Sequence, residues 1–525
     1  MGVSRLFSGR FLPSSPGNLR IPQEKSNAKF PQYAWPQIIA LAAITLFYAV
    51  TLRQGTFWAD DYALYVHHAE NIAKGRAYAD TGYIYNPAVA DYSPRAYPPV
   101  FPLLLTPVYR GFGLSFYAMK FEIVGFFVLT LLVVAAYWER ALDWPYMLAL
   151  LCILGFSPIF WAFKDSVVAD IPFLFFFYLA AWVGQIAPRE GSSWWKWALV
   201  SGSLLYLCTG TRTVGLAVVA GLLLYEVIHY KKLTRFFVLS LTVCTMLLVT
   251  QRLVFGAGEQ SYADQLHPTL ASVLANIRVY PHDFTALWTR SLGQIFSLAL
   301  FALTTVLACY GFVGHSRKSG LTLIEAFLLP YLGIVILWPS KQGIRFLLPL
   351  IPFYAYLLVL GLQELPSYTA LKWMKMAPAI LLLMIGVSYI AAFRRASYGT
   401  IRQTNGSPAF KQLCRFIQDH TNKNDIFVFR RCRALSLFTS RPAALYDLKH
   451  QDQLATYFTN IHANYIVASP IFEEDREVLF PFIRSHSRLL NEVYRNDDFQ
   501  VYQILDSATA SQSTSATPPV SVHNN

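Results

Sequence analysis

Residues 57–78 read FWADDYALYVHHAENIAKGRAY. Two adjacent carboxylates, Asp60 and Asp61, open a stretch of helical rhythm that closes on Gly75. Ala63, Val66, Ala69, Ile72 and Ala73 share one face, which predicts an amphipathic helix. An Asp caps the start of such a helix, and Gly75 suits the position just past its end. One cap needs one Asp, so the second acidic residue calls for a separate reason. The stretch follows the first long apolar run almost at once. The helix is therefore expected along a membrane surface, with Trp58, Tyr62 and Tyr65 at headgroup level.

That expectation rests on the whole chain. Its 525 residues are 55% hydrophobic and 14% charged, where a soluble protein carries about 25% charged residues. Apolar runs of 17 to 23 residues recur at 37–53, 119–138, 145–161, 171–187, 194–210, 213–230, 236–254, 291–313, 321–338, 346–363 and 376–393. Each is near the ~20 residues a helix needs to cross the hydrocarbon. The fold class is a polytopic α-helical membrane protein with about eleven transmembrane helices. The net charge of +13 brings no zinc-knuckle, helix-turn-helix or aromatic RNA-binding signature with it, so no nucleic-acid partner is expected.

The basic residues orient the chain instead. The polar tail 1–35 carries Arg5, Arg10, Arg20, Lys25 and Lys29 and is assigned to the cytoplasm. The connections YKKLTR (230–235) and HSRKSG (315–320) belong on the same side. Eleven crossings satisfy all three. The run PPVFPLLLTPVYRGFG (98–113) would invert every later loop if it crossed, so it is read as re-entrant or interfacial. The outer face then receives the loop 54–118, the turn WAFKDSVVAD (161–170), the loop 255–290, the turn WPSKQGIR (338–345) and everything after 394. Residues 395–506 change character: PAFKQLCRFIQDHT (408–421) has amphipathic spacing, and DIFVFR (425–430), NYIVAS (464–469) and FQVYQI (499–504) read as strands. A small extracytoplasmic α/β domain is expected there, followed by a disordered Ser/Thr/Pro-rich tail, 507–525. Cys414 and Cys432 lie in this part, and nothing in their spacing demands a pair.

Charges that interrupt apolar sequence mark the remaining candidates. Lys164, Asp165 and Asp170 sit in FWAFKDSVVADIPFLFFF (160–177). At mid-bilayer each would cost about 2.5–3.5 kcal/mol, so the turn belongs at the outer interface or in a wet cavity. Asp165 and Asp170 are either an ordinary exposed turn or a second acidic wall, an acceptor side, facing the first loop. Lys341 and Arg345 precede a span on the outer side, where the positive-inside rule disfavours them. They want an anion, and a lipid phosphate fits an Arg fork. Arg212, in TGTRTVG (209–215), is a further phosphate ligand or the structural partner of Asp165 or Asp170. His67, His68 and Glu70, with His267 and His282, offer metal-binding side chains without metal-site spacing, so no metal or other cofactor is assigned, although a divalent ion remains open.

These residues make the sequence resemble the integral-membrane glycosyltransferases of the GT-C fold, in particular bacterial relatives of protein O-mannosyltransferases and lipid A aminoarabinose transferases. The likeness spans about residues 37–393. It is carried by the acidic pair followed by A-x-N-I-A-x-G (69–75), by YPPVFPLLL (97–105), by the Asp170 turn before a span, and by RFLLPLIPFYAYL (345–357). The resemblance implies inverting transfer of a hexosyl or pentosyl group on the outer face of the cell membrane. The donor would be a polyprenyl-phosphate sugar and the acceptor a lipid, glycan or protein of the envelope. It implies a first-loop acid as general base, here Asp60 or Asp61, with Asp60 preferred. The family more often has Asp-Glu where this chain has Asp-Asp. Arg345, Lys341 and Arg212 would hold the donor phosphate. The rival reading is a transporter or flippase of a lipid-linked or small anionic substrate. That reading needs charges deep in the spans and repeat symmetry.

Overall fold

The computed structural model describes residues 35–92, 94–256, 267–288, 290–339, 341–365, 376–447 and 451–505. Nearly all of the basic tail 1–35, the whole 507–525 segment and part of the 255–290 loop lie outside the described residues.

Each of the eleven apolar runs forms a helix: Trp35–Val50, Phe116–Trp138, Trp144–Gly155, Asp170–Ile186, Trp194–Thr211, Leu216–Tyr230, Arg235–Phe255, Gln294–Ser319, Leu323–Leu337, Leu350–Glu364 and Ala377–Arg395. Among the described residues, five helices are long and apolar enough to cross a membrane, and five more are shorter apolar helices. Ile295, Leu253, Val306 and Leu383 are among the exposed side chains, an apolar exterior suited to lipid. The chain is a multi-pass membrane protein by these features. Small residues let two helices touch backbones: a Cβ on Gly311 would run into the carbonyl of Leu357, and one on Gly361 into that of Leu307.

Proline moves two expected boundaries. The run 145–161 stops at Gly155, and Ser157-Pro158 restarts the chain as the short helix Pro158–Phe163. The run 346–363 begins as a 3-10 turn, Gly343–Leu347, and becomes α-helical only after Pro349. Arg345 therefore sits on a tight turn at the mouth of a helix. The run 98–113 forms the helix Val100–Phe112, which packs along helix Asp61–Lys74.

The expected strands at 425–430, 464–469 and 499–504 are present, within a sheet of six. Its strands are β1 (Tyr83–Ile84), β2 (Phe427–Val428), β3 (Ala443–Ala444), β4 (Tyr465–Ala468), β5 (Leu490–Arg495) and β6 (Gln500–Ile504). The order is β1-β3-β2-β4-β6-β5. The first three pairings are parallel, and those around β6 are antiparallel. Strand β1 comes from the first loop, so the loop and the C-terminal segment share one sheet. Other bonds stitch them together: Trp58 N–H donates to Gln403 Oε1 at 2.8 Å, Ser436 Oγ to Thr81 O at 2.6 Å, and Asn86 Nδ2 to Leu445 O at 2.9 Å.

This contact corrects the expectation of a helix lying on the membrane surface. Tyr62 and Tyr65 are buried in the core, and Trp58 packs its ring against Phe410, Phe472 and Phe499. Helix Asp61–Lys74 is covered by helix Val100–Phe112 and by the C-terminal helix Cys432–Thr439. Its aromatic residues meet protein because the C-terminal segment lies over the loop.

Candidate active site

Gly75 ends helix Asp61–Lys74 as its sequence suggests, with φ of 66° in the left-handed region that glycine adopts without strain. Asp60 stands at the N-cap position but makes no side-chain capping bond there. It reaches across to helix Cys432–Thr439, whose own first residue is uncapped. Asp60 Oδ2 accepts from Arg433 N–H at 3.2 Å and Oδ1 from Ala434 N–H at 3.0 Å. One carboxylate thus satisfies two orphan donors of a helix far along the chain, at its positive end. Burial pushes the Asp60 carboxyl up, against Arg433, Arg431 and the two N–H groups.

Asp61 points the other way. Its Oδ2 takes Arg345 Nη1 at 2.7 Å, and its Oδ1 takes Tyr97 Oη at 2.7 Å. Arg345 Nε also grips Asp170, at 2.9 Å from Oδ1 and 2.8 Å from Oδ2. Arg212 closes on Asp170 Oδ1. Arg433 Nη1 stands 3.6 Å from Asp61 Oδ1 and 3.4 Å from Tyr97 Oη. Three guanidiniums therefore meet two carboxylates. The Asp61 and Arg345 side chains are 25% and 24% exposed, against 1% for both Asp170 and Arg433. The open edge of the cluster is the Asp61–Arg345 pair. Burial raises the Asp61 carboxyl, but Arg345, Arg433 and the Tyr97 hydroxyl outweigh it and hold it at about 2.

Asp61, Asp170, Arg345 and Arg212 are thus brought together. Lys341 is exposed and takes no part in these ion pairs. Asp165 lies in a separate buried cluster, with Lys164 Nζ at 2.6 Å, Lys120 Nζ at 3.9 Å and the Arg53 N–H at 2.9 Å. Cys414 and Cys432 are both buried and unpaired, and Cys432 Sγ is 4.0 Å from Asp60 Oδ2. Tyr97 and Arg433 were missed as site residues. Tyr97 belongs to the YPPVFPLLL stretch, whose aromatic start carried a signal without a role. Arg433 is one of three arginines in RRCR (430–433), and nothing local singles it out.

His68 has a structural role. His68 Nδ1–H donates to Tyr78 O at 2.8 Å, and Nε2 accepts Tyr97 N–H at 3.3 Å, which fixes the neutral tautomer. Burial depresses its pKa to about 3. His68 is therefore a strut behind Tyr97. Glu70 is engaged by Lys74 and Arg76, and His267 is exposed. No group of three metal-ligating side chains occurs among the described residues.

No family model matches the chain, and no curated protein sequence matches it. Solved structures do. ArnT from Cupriavidus metallidurans, bound to undecaprenyl phosphate, superposes with a TM-score of 0.54 at 12% identity, over 90% of this chain and 98% of that one. The fold is GT-C. The Archaeoglobus fulgidus oligosaccharyltransferase, tethered to an acceptor peptide, gives 0.54 at 10% identity over 89% and 74%. The mycobacterial arabinofuranosyltransferase AftD gives 0.54 at 14% over 90% and 41%, so this chain spans under half of that one. The GT-C likeness read from the acidic pair and the RFLLPLIPFYAYL stretch is borne out at the level of fold.

Proposed function

We propose that this chain is a membrane glycosyltransferase. It moves a sugar from a polyprenyl-phosphate donor to a hydroxyl of a lipid, glycan or protein on the extracytoplasmic face of the cell membrane. The observation that carries the reading is the Asp61–Arg345–Asp170–Arg212 cluster with its partly open Asp61–Arg345 edge. The GT-C fold and the undecaprenyl phosphate bound in one neighbour, ArnT, add weight. Eleven crossings put this edge, the C-terminal domain 395–506 and the donor on one side.

The chemistry follows from the pairing. In the resting site Asp61 is a weak base because Arg345 holds it. A donor phosphate competes for Arg345, and Arg212 anchors Asp170 so that Arg345 can turn. Released from that bond, Asp61 gains basicity and takes the proton of the attacking hydroxyl. The oxygen bonds to the anomeric carbon from the face opposite the phosphate, and the configuration inverts. The bond from anomeric carbon to phosphate oxygen breaks, and its electron pair leaves on the polyprenyl phosphate. Arg345 stabilises that charge, so no general acid is needed.

The role of base thus passes from Asp60, preferred on sequence, to Asp61. Asp60 is occupied by a helix end and faces away from Arg345. Mass spectrometry of envelope lipids, glycans and glycoproteins, with and without the protein, tests the function. A sugar lost on deletion and restored by wild type, but not by Asp61→Asn, is the expected result. An unchanged glycan profile would sink the proposal.

A further inference from the structure

Arg433 comes from outside the membrane helices, yet it stands beside the proposed base. Its guanidinium lies over the Tyr83 ring at 4.6 Å and near the Tyr97 ring at 5.8 Å. Its side chain is 1% exposed, so it is shielded from bulk solvent. We infer that the C-terminal α/β segment is a working part of the site: Asp60 anchors helix Cys432–Thr439, and Arg433 on that helix is a positioning residue that keeps Asp61 charged and aimed once Arg345 turns to the donor phosphate. The inference rests on the glycosyltransferase reading for its timing, and on the geometry alone for its contact.

The groups facing Asp61 define the problem. Arg345 comes from the turn before helix Leu350–Glu364, Tyr97 from the approach to helix Val100–Phe112, and Arg433 from helix Cys432–Thr439. Tyr65 lies on the helix of Asp61 itself, and Asp60 is its neighbour. Asp170 and Arg212 stand behind Arg345. A bound phosphate would draw Arg345 away, while Arg212 is committed to Asp170. Tyr97 is neutral and gives direction without charge. Arg433 is then the cation beside Asp61. Its burial and its two aromatic neighbours prevent it from following the phosphate.

The division of labour is specific. Arg345 moves between Asp61 and substrate. Arg433 and Tyr97 stay with the base, and His68 holds the Tyr97 backbone. Asp60 explains the acidic pair: one carboxylate holds the helix that supplies Arg433, and the next receives its field.

The test uses the full chain in lipid nanodiscs and follows the Asp61 carboxyl by difference infrared titration, with Asp61→Asn to assign the band. Arg433→Met, an apolar near-isostere, and Arg433→Gln should each raise the Asp61 midpoint by about 1–3 units, since a cation within a few ångströms is lost. Arg433→Lys should restore most of the wild-type midpoint. Undecaprenyl phosphate should still bind the Arg433 variants but not Arg345→Ala, and transfer should fall in kcat with donor KM little changed. A folded Arg433→Met or Arg433→Gln protein with the wild-type midpoint overturns the inference. Wild-type protein that fails to bind undecaprenyl phosphate overturns the glycosyltransferase reading instead, and the lipid-free midpoints still decide the role of Arg433.

Discussion

The turn 161–170 ends in two clusters that start from the same chemistry and finish differently. Asp165 is sealed with Lys164 and Lys120, and all three side chains are at most 2% exposed. Five residues on, Asp170 is just as buried, but its partners Arg345 and Arg212 are 24% and 14% exposed. Lys120 spends its other contacts on the carbonyls of Arg53 and Gly55, at 2.8 and 2.6 Å. That cluster pins the end of the first helix through buried, mutually engaged groups. The second keeps a guanidinium and a carboxylate at an open edge. An ionic cluster next to a membrane helix is thus not in itself a site; an accessible, exchangeable partner makes one.

The comparison can be broken by removing one acid from each cluster. Asp61→Asn should leave folding intact and cut sugar transfer by roughly 10²–10⁴-fold, the usual worth of a positioned base. Transfer is read as product per folded protein. Asp165→Ala should do the reverse: it strands two buried lysines and costs about 3–5 kcal/mol of stability, seen as a lower melting temperature in detergent. If Asp165→Ala melted like wild type and lost transfer, the two clusters would have to exchange roles. Arg345→Ala should lower transfer by about 10²–10³-fold, the scale of one lost charge-stabilising donor, and abolish undecaprenyl phosphate binding.

Smaller effects sharpen the picture. Asp60→Ala should cost about 1–2 kcal/mol, the worth of a helix cap, with proteolysis first appearing in the C-terminal segment. Asp60→Asn should cost less, because an amide oxygen still accepts. Asp61 titrates in the folded state at about 2, below its ordinary range. The stability from its pairing is therefore present above that range and lost as pH falls towards 2. Acid melting curves of Asp61→Asn should be flatter there than those of wild type. Lys341→Ala, outside the cluster, should change transfer by less than about twofold, as exposed charges usually do.

The sequence was most legible where chemistry is local. An apolar run of about 20 residues announces a helix by itself, and each of the eleven runs forms one. Asp170, Arg212 and Arg345 stood out because a charge against apolar sequence must be explained on the spot. The strand β1 was illegible because two residues hold no alternation to read, and its partner β3 is equally short. The burial of Tyr62 and Tyr65 was illegible for a different reason. An amphipathic helix looks alike whether lipid or protein covers it, and the cover lies hundreds of residues away. Asp60 and Asp61 are adjacent and chemically identical, so only their distant partners, helix Cys432–Thr439 for one and Arg345 for the other, tell them apart.

The bond between Asp60 and Ala434 joins positions 374 residues apart. At ribosomal speeds of roughly 5–20 residues per second, the first loop waits on the order of half a minute for the helix it must cap. During that time the acidic pair is made while Arg433 and most of the shared sheet are still to come. A chain cut short before residue 432 would carry Asp61, Asp170, Arg212 and Arg345 yet lack the contact that seats the loop over them. The long reach of Asp60 therefore means that its contacts can form only on a protein whose synthesis has passed helix Cys432–Thr439.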